Sequence, residues 1–150
     1  MLHHLISDLT ETTRQYAERL SSLPEDIFTH LPAPGKWSKK EIIGHLVDSA
    51  QNNIQRFVRA QYEEQPVHIL YRQNDWVAIQ QYQAYPSADL LSLWVLLNRH
   101  LVHIWSHMPP ENWSRPCRIG PTADDTITLE ALAVDYLRHL QHHLVRGLEG

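Results

Sequence analysis

The chain has 150 residues, enough for one domain with a buried core, and we interpret residues 1–150 as a single domain. Its apolar and charged fractions, 43% and 20%, are those of a globular protein and exclude wholesale disorder. The net charge of -4 gives no general attraction to nucleic acid or to an anionic membrane, so we expect neither as a partner. Histidine is unusually frequent, with eleven residues, and it is the commonest metal ligand.

Cysteine usage and the first residues predict a cytoplasmic protein. Cys117 is the single cysteine, which excludes an internal disulfide framework and suits a reducing compartment. Residues 1–8 lack the cationic segment and the long apolar stretch of a signal peptide. No apolar run approaches the length of a transmembrane helix. A reactive thiol at Cys117 is disfavoured, because no partner base is visible beside it.

Hydrophobic periodicity predicts the first two of four long helices. The first runs over about residues 2–23 and ends before Pro24, with a short helical turn after it. The second begins at Ser38, which forms a capping-box pattern with Glu41 three residues later. Its apolar stripe continues to a predicted end near residue 64.

The second half of the chain predicts two more helices between long connections. A connection over residues 65–85, with a short helix over residues 75–82, is long enough to suggest that it covers a site. The third and fourth long helices are predicted over residues 87–108 and 128–148, with Thr128 as the N-cap of the last. Residues 109–126 form the second long connection. Without a convincing strand pattern, these elements predict an all-α four-helix bundle whose long connections allow crossovers.

The last helix carries the strongest chemical signal. His139 and His143 lie four residues apart, so their side chains are about 40° apart around the helix and one turn apart along it. This spacing lets two imidazoles bind one metal ion. Asp135, one turn before His139, continues the row, whereas His142 points away and is not expected to be a ligand.

A catalytic zinc-type site takes three protein ligands and leaves one position open, so we expect a third ligand from another helix. His45 is one candidate, because it heads a polar row on the second helix with Ser49, Asn52 and Arg56. Asp48 lies one turn from His45 and is in position to orient it.

The third helix carries a rival set of histidines. His100, His103 and His107 share one face of that helix. The face lies well off the apolar stripe, which favours a row exposed to solvent. Spacing alone leaves a second metal site there open.

Two segments of the chain resemble the DinB/YfiT-like superfamily. Residues 34–49, Pro-Gly-Lys-Trp-Ser-Lys-Lys-Glu-Ile-Ile-Gly-His-Leu-Val-Asp-Ser, are similar to the beginning of that family's second helix. Residues 135–143, with a His-x-x-His-His motif, are similar to its last helix. The resemblance covers nearly the whole chain and implies a four-helix bundle in up-down-down-up order.

The resemblance also implies a metal and a class of chemistry. Family members hold a divalent ion, zinc or nickel, with one histidine of the second helix and two of the fourth. His45, His139 and His143 occupy these positions, so the resemblance singles out His45. Characterised members include transferases that use bacillithiol, mycothiol or glutathione, and a mycothiol-dependent maleylpyruvate isomerase. Others were described as metal-dependent hydrolases, and homodimers are common.

We therefore interpret the chain as a metal-dependent enzyme that activates a small thiol for S-transfer onto an electrophilic small molecule. Hydrolysis by activated water is the first alternative, and a non-catalytic metal-stabilised bundle or binding module is the second. Helical phase predicts that Asp48 and Asp135 orient ligands or shuttle protons. It also predicts that Asn52 and Arg56 bind polar groups of the substrate or of the thiol cosubstrate.

Overall fold

The computed structural model describes residues 2–66 and 68–148 of the chain. The four long helices are α1 (Leu2–Ser21), α3 (Lys39–Arg59), α5 (Ser87–His107) and α6 (Leu129–Leu148). The connections contain the short helices α2 (Glu25–Phe28) and α4 (Gln73–Gln80) and two 3-10 turns, Tyr82–Ala84 and Pro110–Ser114. An antiparallel hairpin of β1 (Pro116–Arg118) and β2 (Thr126–Thr128) precedes α6. None of the helices in the described ranges is long and apolar enough to cross a membrane.

The long helices form a bundle in up-down-down-up order. Glu25, shortly after α1, accepts hydrogen bonds from Lys40 in the first turn of α3 and from Ser87 at the start of α5. The end of α1 therefore lies beside the beginnings of α3 and α5. At the same end Lys39 donates to the carbonyl oxygen of Gly147 in the last turn of α6. The predicted four-helix bundle and its helix order are confirmed.

The parallel arrangement of α3 and α5 explains the length of the connection between them. Each helix has 21 residues, and this corresponds to about 31 Å at 1.5 Å per residue. The chain has to return over that length before α5 begins, and it does so through α4 and the turn at Tyr82–Ala84. The short helix predicted over residues 75–82 is α4, which begins and ends two residues earlier; it stops at Gln80 because the φ of Gln81, 54°, lies outside the helical region.

Side-chain caps determine where α3 and α6 begin. The Ser38 hydroxyl accepts a hydrogen bond from the Glu41 amide, and the Glu41 carboxylate accepts one from the Ser38 amide, so the capping box is confirmed. The Thr128 hydroxyl accepts a hydrogen bond from the Ala131 amide, as expected of an N-cap.

The structure departs from the predictions at the end of α3 and before α6. The helix ends at Arg59, earlier than predicted, and Arg115 donates to the carbonyl oxygens of Ala60 and Glu63 in the turn that follows. The sequence shows no convincing strand pattern, yet β1 and β2 pair with each other as a short addition to the confirmed helical bundle. Each strand has three residues, too few for alternation of apolar and polar side chains to be recognised.

A core of aromatic and aliphatic side chains fixes the relative positions of the helices. The Trp105 ring of α5 packs edge-on against Phe57 of α3 and Tyr136 of α6, with ring centroids 5.4 Å and 6.1 Å away. All three side chains are buried. Because these contacts join α3, α5 and α6, they also fix where α3 presents His45 to the last helix.

Candidate metal centre and adjoining cleft

Three histidines meet between α3 and α6. His45, His139 and His143 each offer one ring nitrogen, and these three atoms lie within 4.8 Å of one another. The ring centroid of His45 is 5.3 Å from that of His139 and 4.7 Å from that of His143. In the ranges that the structure describes, no other group of three or more His, Cys, Asp or Glu side chains has this proximity. The structure thus brings together the three residues predicted as metal ligands.

Close helix packing and an aromatic contact position these rings. Gly147 lies one turn after His143, and a Cβ at Gly147 would be 2.4 Å from the Ile42 Cδ1 of α3. The end of the Ile42 side chain occupies the space beside Gly147, so α3 and α6 are in direct contact at this end. Trp37 packs against His45 with ring centroids 4.9 Å apart. The imidazole of His45 is held between the loop before α3 and the last turns of α6.

Burial keeps the three imidazoles neutral. Burial, with the nearby His143 and His139, lowers the pKa of His45 to about 3. Burial, with His143 and His142, lowers the pKa of His139 to about 4. The pKa of His143 is also lowered, by burial and by His142. Near pH 7 the rings are uncharged, and this is the form in which imidazole binds a metal.

The donor set fits a divalent ion that prefers nitrogen ligands. His45 is fully buried, and neither of its ring nitrogens has a hydrogen-bond partner among the described residues. An unpaired buried polar atom costs free energy, which coordination of a cation would offset. Imidazole suits zinc and nickel, and three protein ligands match the number at catalytic zinc sites.

Asp48 is buried on α3 one turn after His45, but it bonds to the connection before α5. Its Oδ1 accepts hydrogen bonds from the Tyr82 hydroxyl at 2.6 Å and from Gln80 Nε2 at 2.8 Å. Burial raises the pKa of Asp48, against the effect of these two bonds. Gly44 makes room for the Tyr82 ring, since a Cβ there would lie 2.2 Å from a ring carbon. Among the described residues Asp48 makes no hydrogen bond to His45, so it anchors the connection to α3 instead of orienting that imidazole.

A cleft of about 230 Å³ adjoins the histidine cluster at His139. Its walls come from α3, α6 and both long connections. They consist of Ser49, Asn53, Arg56, Tyr71, Ile119, Leu132, Asp135, Tyr136 and His139. A β-bridge between His68 and Arg118 joins the two connections beside it. Both long connections thus contribute to one cavity next to the candidate metal ligands.

Asp135, a predicted ligand-orienting or proton-shuttling residue, and Arg56, a predicted substrate-binding residue, both line this cleft. Asp135 is exposed at the α6 wall, with its Oδ1 3.7 Å from Arg138 Nη1. Arg56 is half-buried on the α3 wall and donates to the side chain of Asn53 and to the backbone of Ile69. Both residues therefore share a cavity with His139, and their roles in proton transfer and substrate binding stay predictions.

Of the polar row predicted on α3, Ser49 and Arg56 line the cleft, but Asn52 does not. Asn52 is buried and donates to the carbonyl oxygen of Asp48, within its own helix and away from the cleft lining. Asn53 lines the cleft in its place, with Ser49 and Arg56. These three residues have the spacing i, i+4 and i+7, so a search for a second polar row on α3 would have found them. Tyr71 and Ile119 lie in connections, where no periodicity marks them.

The rival histidine set on α5 does not form a comparable cluster. His100, His103 and His107 are exposed. The His103 and His107 rings are 4.3 Å apart, but the His100 ring is 6.5 Å from that of His103. The expected exposed row is confirmed, and within the described ranges only the cluster between α3 and α6 brings three ligand atoms together.

Cys117 has the environment of a structural residue. It lies in β1, it is fully buried and it forms no disulfide. Burial raises the pKa of its thiol, against the opposing effect of Arg56. A thiol that ionises less readily is a poorer nucleophile, in agreement with the interpretation from sequence.

A sequence model of the DinB superfamily matches residues 8–145 of the chain. The chain therefore belongs to the DinB superfamily. A comparison with functionally curated proteins gave no significant match.

Solved structures of the same architecture superpose on nearly the whole chain. YfiT from Bacillus subtilis, described as a probable metal-dependent hydrolase with an unusual four-helix bundle topology, has a TM-score of 0.88 and 21% identity, over 99% of this chain and 84% of that chain. The mycothiol-dependent maleylpyruvate isomerase has a TM-score of 0.77 and 19% identity, over 97% of this chain. A single-residue variant of the isomerase has a TM-score of 0.78 and 17% identity. The chain spans 60% of the length of the isomerase structures. At these identities the likeness shows a shared fold.

Proposed function

We propose that the protein is an enzyme that holds a divalent metal ion on His45, His139 and His143 and transfers the sulfur of a small thiol onto an electrophilic small molecule. Zinc or nickel suits three imidazole ligands. When bound, such an ion lowers the pKa of a thiol or water at its open position and supplies an anionic nucleophile near neutral pH. The observation that carries the proposal is the three-histidine cluster with a cleft beside it.

The residues of the cleft have separate roles in this proposal. His139 belongs to both the cluster and the cleft lining, so a molecule in the cleft lies next to the nucleophile. Ile119 and Leu132 supply apolar surface that excludes water from part of the cavity. Asp135 is exposed and can accept the thiol proton and release it to solvent. The new sulfur–carbon bond forms as the leaving group departs with its electron pair.

A thiol is the favoured nucleophile for two reasons. The histidine cluster contains no carboxylate among the described residues, and Asp48 is bonded to Tyr82 and Gln80, so the nearest base is the exposed Asp135 in the adjoining cleft. A free thiol has a pKa of about 8.5, far below that of water at about 15.7, and needs less help to ionise. Three uncharged ligands also leave the positive charge of the ion unbalanced, and this favours an anionic fourth ligand such as a thiolate.

Hydrolysis is the second candidate function. It is favoured by the structural likeness to YfiT, which is described as a probable metal-dependent hydrolase. In that case the same cleft would hold an ester or amide, and Asp135 would be the nearest group able to act as a general base.

An activity screen separates these functions. Metal-loaded protein is assayed with glutathione, bacillithiol and mycothiol against an activated aryl halide, and separately with activated esters without thiol. We expect thiol-dependent transfer that disappears in His139→Ala and persists in His142→Ala, since His142 is exposed on the same helix. Ester turnover without thiol dependence would favour the hydrolase. Metal-bound protein with neither activity would favour a non-catalytic bundle or binding module.

The proposed use of a small thiol also suggests where the protein works and what it binds. We infer that the protein works in the cytoplasm, where small thiols stay reduced. Its partners in this proposal are the thiol and the electrophile. A homodimer remains a prediction, which light scattering of the purified protein tests.

A further inference from the structure

Arg56 is a half-buried cation that lines the same cleft as His139. Its Nη1 donates to Asn53 Oδ1 at 3.2 Å and its Nη2 donates to the carbonyl oxygen of Ile69. Both acceptors are uncharged. The Nε atom is buried and has no hydrogen-bond partner among the described residues. A guanidinium has five N–H donors, so part of its capacity is unused in this setting.

The groups around Arg56 do not balance its charge. Cys117 and Tyr71 are near it, and burial raises the pKa of both, so each is neutral near pH 7. Asp135, on the opposite wall, is the one carboxylate in the described lining of the cleft, and it is exposed to solvent beside Arg138. Burial lowers the pKa of Arg56, but a guanidinium remains charged at physiological pH. A partly buried cation without a counter-ion costs free energy, which an anionic ligand would offset.

The surroundings of Arg56 also suit the shape of a carboxylate. Ser49 and Tyr71 line the same cleft, and each brings a hydroxyl group to it. A guanidinium binds the two oxygens of a carboxylate through parallel N–H donors. A cavity of about 230 Å³ is large enough for a few carbon atoms between such a carboxylate and a reacting group at His139.

We propose that Arg56, with the hydroxyl groups beside it, binds a carboxylate of the molecule whose reacting end lies at His139. This inference rests on the proposed function and names the class of its substrate, an anionic small molecule. The carboxylate belongs either to the thiol cosubstrate or to the electrophile. Both sources present the same chemistry to Arg56, so pairs of charged and neutral probes are needed to tell them apart.

Isothermal titration calorimetry with two matched pairs of probes tests the proposal. The thiol pair is 3-mercaptopropionate and 3-mercaptopropanamide, and the thiol-free pair is succinate and succinamide. Wild type, Arg56→Met and Arg56→Lys are titrated, with Arg59→Met as the control, since Arg59 lies on the same helix and pairs with Glu63. Metal content is measured for every sample, so that loss of the metal centre is seen separately.

In wild type we expect a carboxylate to bind about 10- to 100-fold more tightly than its amide in at least one pair, the range of a hydrogen bond to a charged group. Preference in the thiol pair alone assigns the carboxylate to the thiol cosubstrate, and preference in the succinate pair assigns it to the electrophile. Arg56→Met should abolish the preference with unchanged metal content, and Arg59→Met should retain it. Arg56→Lys keeps the charge but loses the parallel donors, so an intermediate preference is expected.

Two results would overturn the proposal. One is equal binding of carboxylate and amide in both pairs to wild type, and the other is a preference that survives in Arg56→Met. If Arg56→Met does not fold, Arg56→Lys decides, because an undiminished preference there would show that the parallel donors are not used. Wild type without bound metal would contradict the proposed function, but the succinate pair would still test Arg56, whose donors do not depend on the metal.

Discussion

The Nε2 atoms of His139 and His143 lie 3.2 Å apart on successive turns of α6. Two neutral imidazoles form such a contact when one carries its proton on Nε2 and the other accepts it. A divalent ion would replace that proton and use both lone pairs. The helix therefore holds two ligand atoms in place for one cation, and α3 adds His45 from the side.

Removing one of these rings should abolish metal binding. Loss of a residue that only hydrogen-bonds to a metal ligand weakens metal affinity by roughly 10- to 100-fold. His143→Ala removes a ligand itself, so we expect its affinity for zinc to fall by more than that. His142→Ala is the matched control, since its exposed ring is next in sequence and outside the cluster. Competition with a chromogenic chelator measures both affinities. Equal loss in the two variants would point to a nonspecific histidine-rich surface.

Acid should destabilise the metal-free protein. The folded-state pKa values of His45 and His139, about 3 and about 4, lie below the ordinary value of 6.5 that the unfolded chain has. Between these values the unfolded chain binds more protons, so the free energy of unfolding falls as the pH falls from about 6.5 towards 4. Urea unfolding at pH 7 and pH 5 measures the fall, which should be smaller in His45→Gln. No dependence on pH in wild type would contradict the neutral, buried cluster.

Asp48 should matter for stability and not for metal content. Asp48→Ala leaves the buried Tyr82 hydroxyl without its acceptor, which costs about 1–3 kcal/mol. Asp48→Asn keeps an acceptor oxygen and should cost less, since burial already disfavours the charged form. Chemical denaturation gives both values, and elemental analysis should find the metal unchanged. Loss of metal from folded Asp48→Asn would show that this side chain does act on the site.

The two glycines at close contacts should respond differently to alanine. At Gly44 a Cβ would lie 2.2 Å from the Tyr82 ring, which the bond to Asp48 holds in place, so Gly44→Ala should cost about 1–3 kcal/mol. At Gly147 the nearest atom is the flexible end of Ile42, and alanine favours a helix by about 1 kcal/mol. Gly147→Ala should therefore be near neutral. Thermal unfolding of both variants tests the difference, and an equal effect would contradict the rigid contact at Tyr82.

The sequence predicted those parts of the molecule that follow from helical periodicity. Apolar stripes and the caps at Ser38 and Thr128 located the long helices, and the spacing of His139 and His143 identified a possible chelating pair. His45 was different, because a polar row on a helix usually faces solvent, and only the family resemblance distinguished it. Its full burial depends on Trp37, in the loop before α3, and on α6, which is distant in sequence.

The cleft was harder to predict than the cluster. Tyr71 and Ile119 reach it from connections, whose paths depend on tertiary contacts such as the bridge between His68 and Arg118. On α3 the predicted row contained Asn52, whereas Asn53 lines the cleft. These neighbours point about 100° apart around the helix, so choosing one of them excluded the other.

Elemental analysis of untagged protein, purified without added metal, shows whether α3 and α6 together hold one divalent ion on three imidazoles. Wild type is compared with His45→Ala, and circular dichroism confirms that both are folded. We expect about one divalent ion per chain in wild type, as one site requires, and a large loss in the variant. Equal stoichiometric metal in the two proteins would contradict the three-histidine site, because the fully buried imidazole of α3 would then have no part in binding the ion.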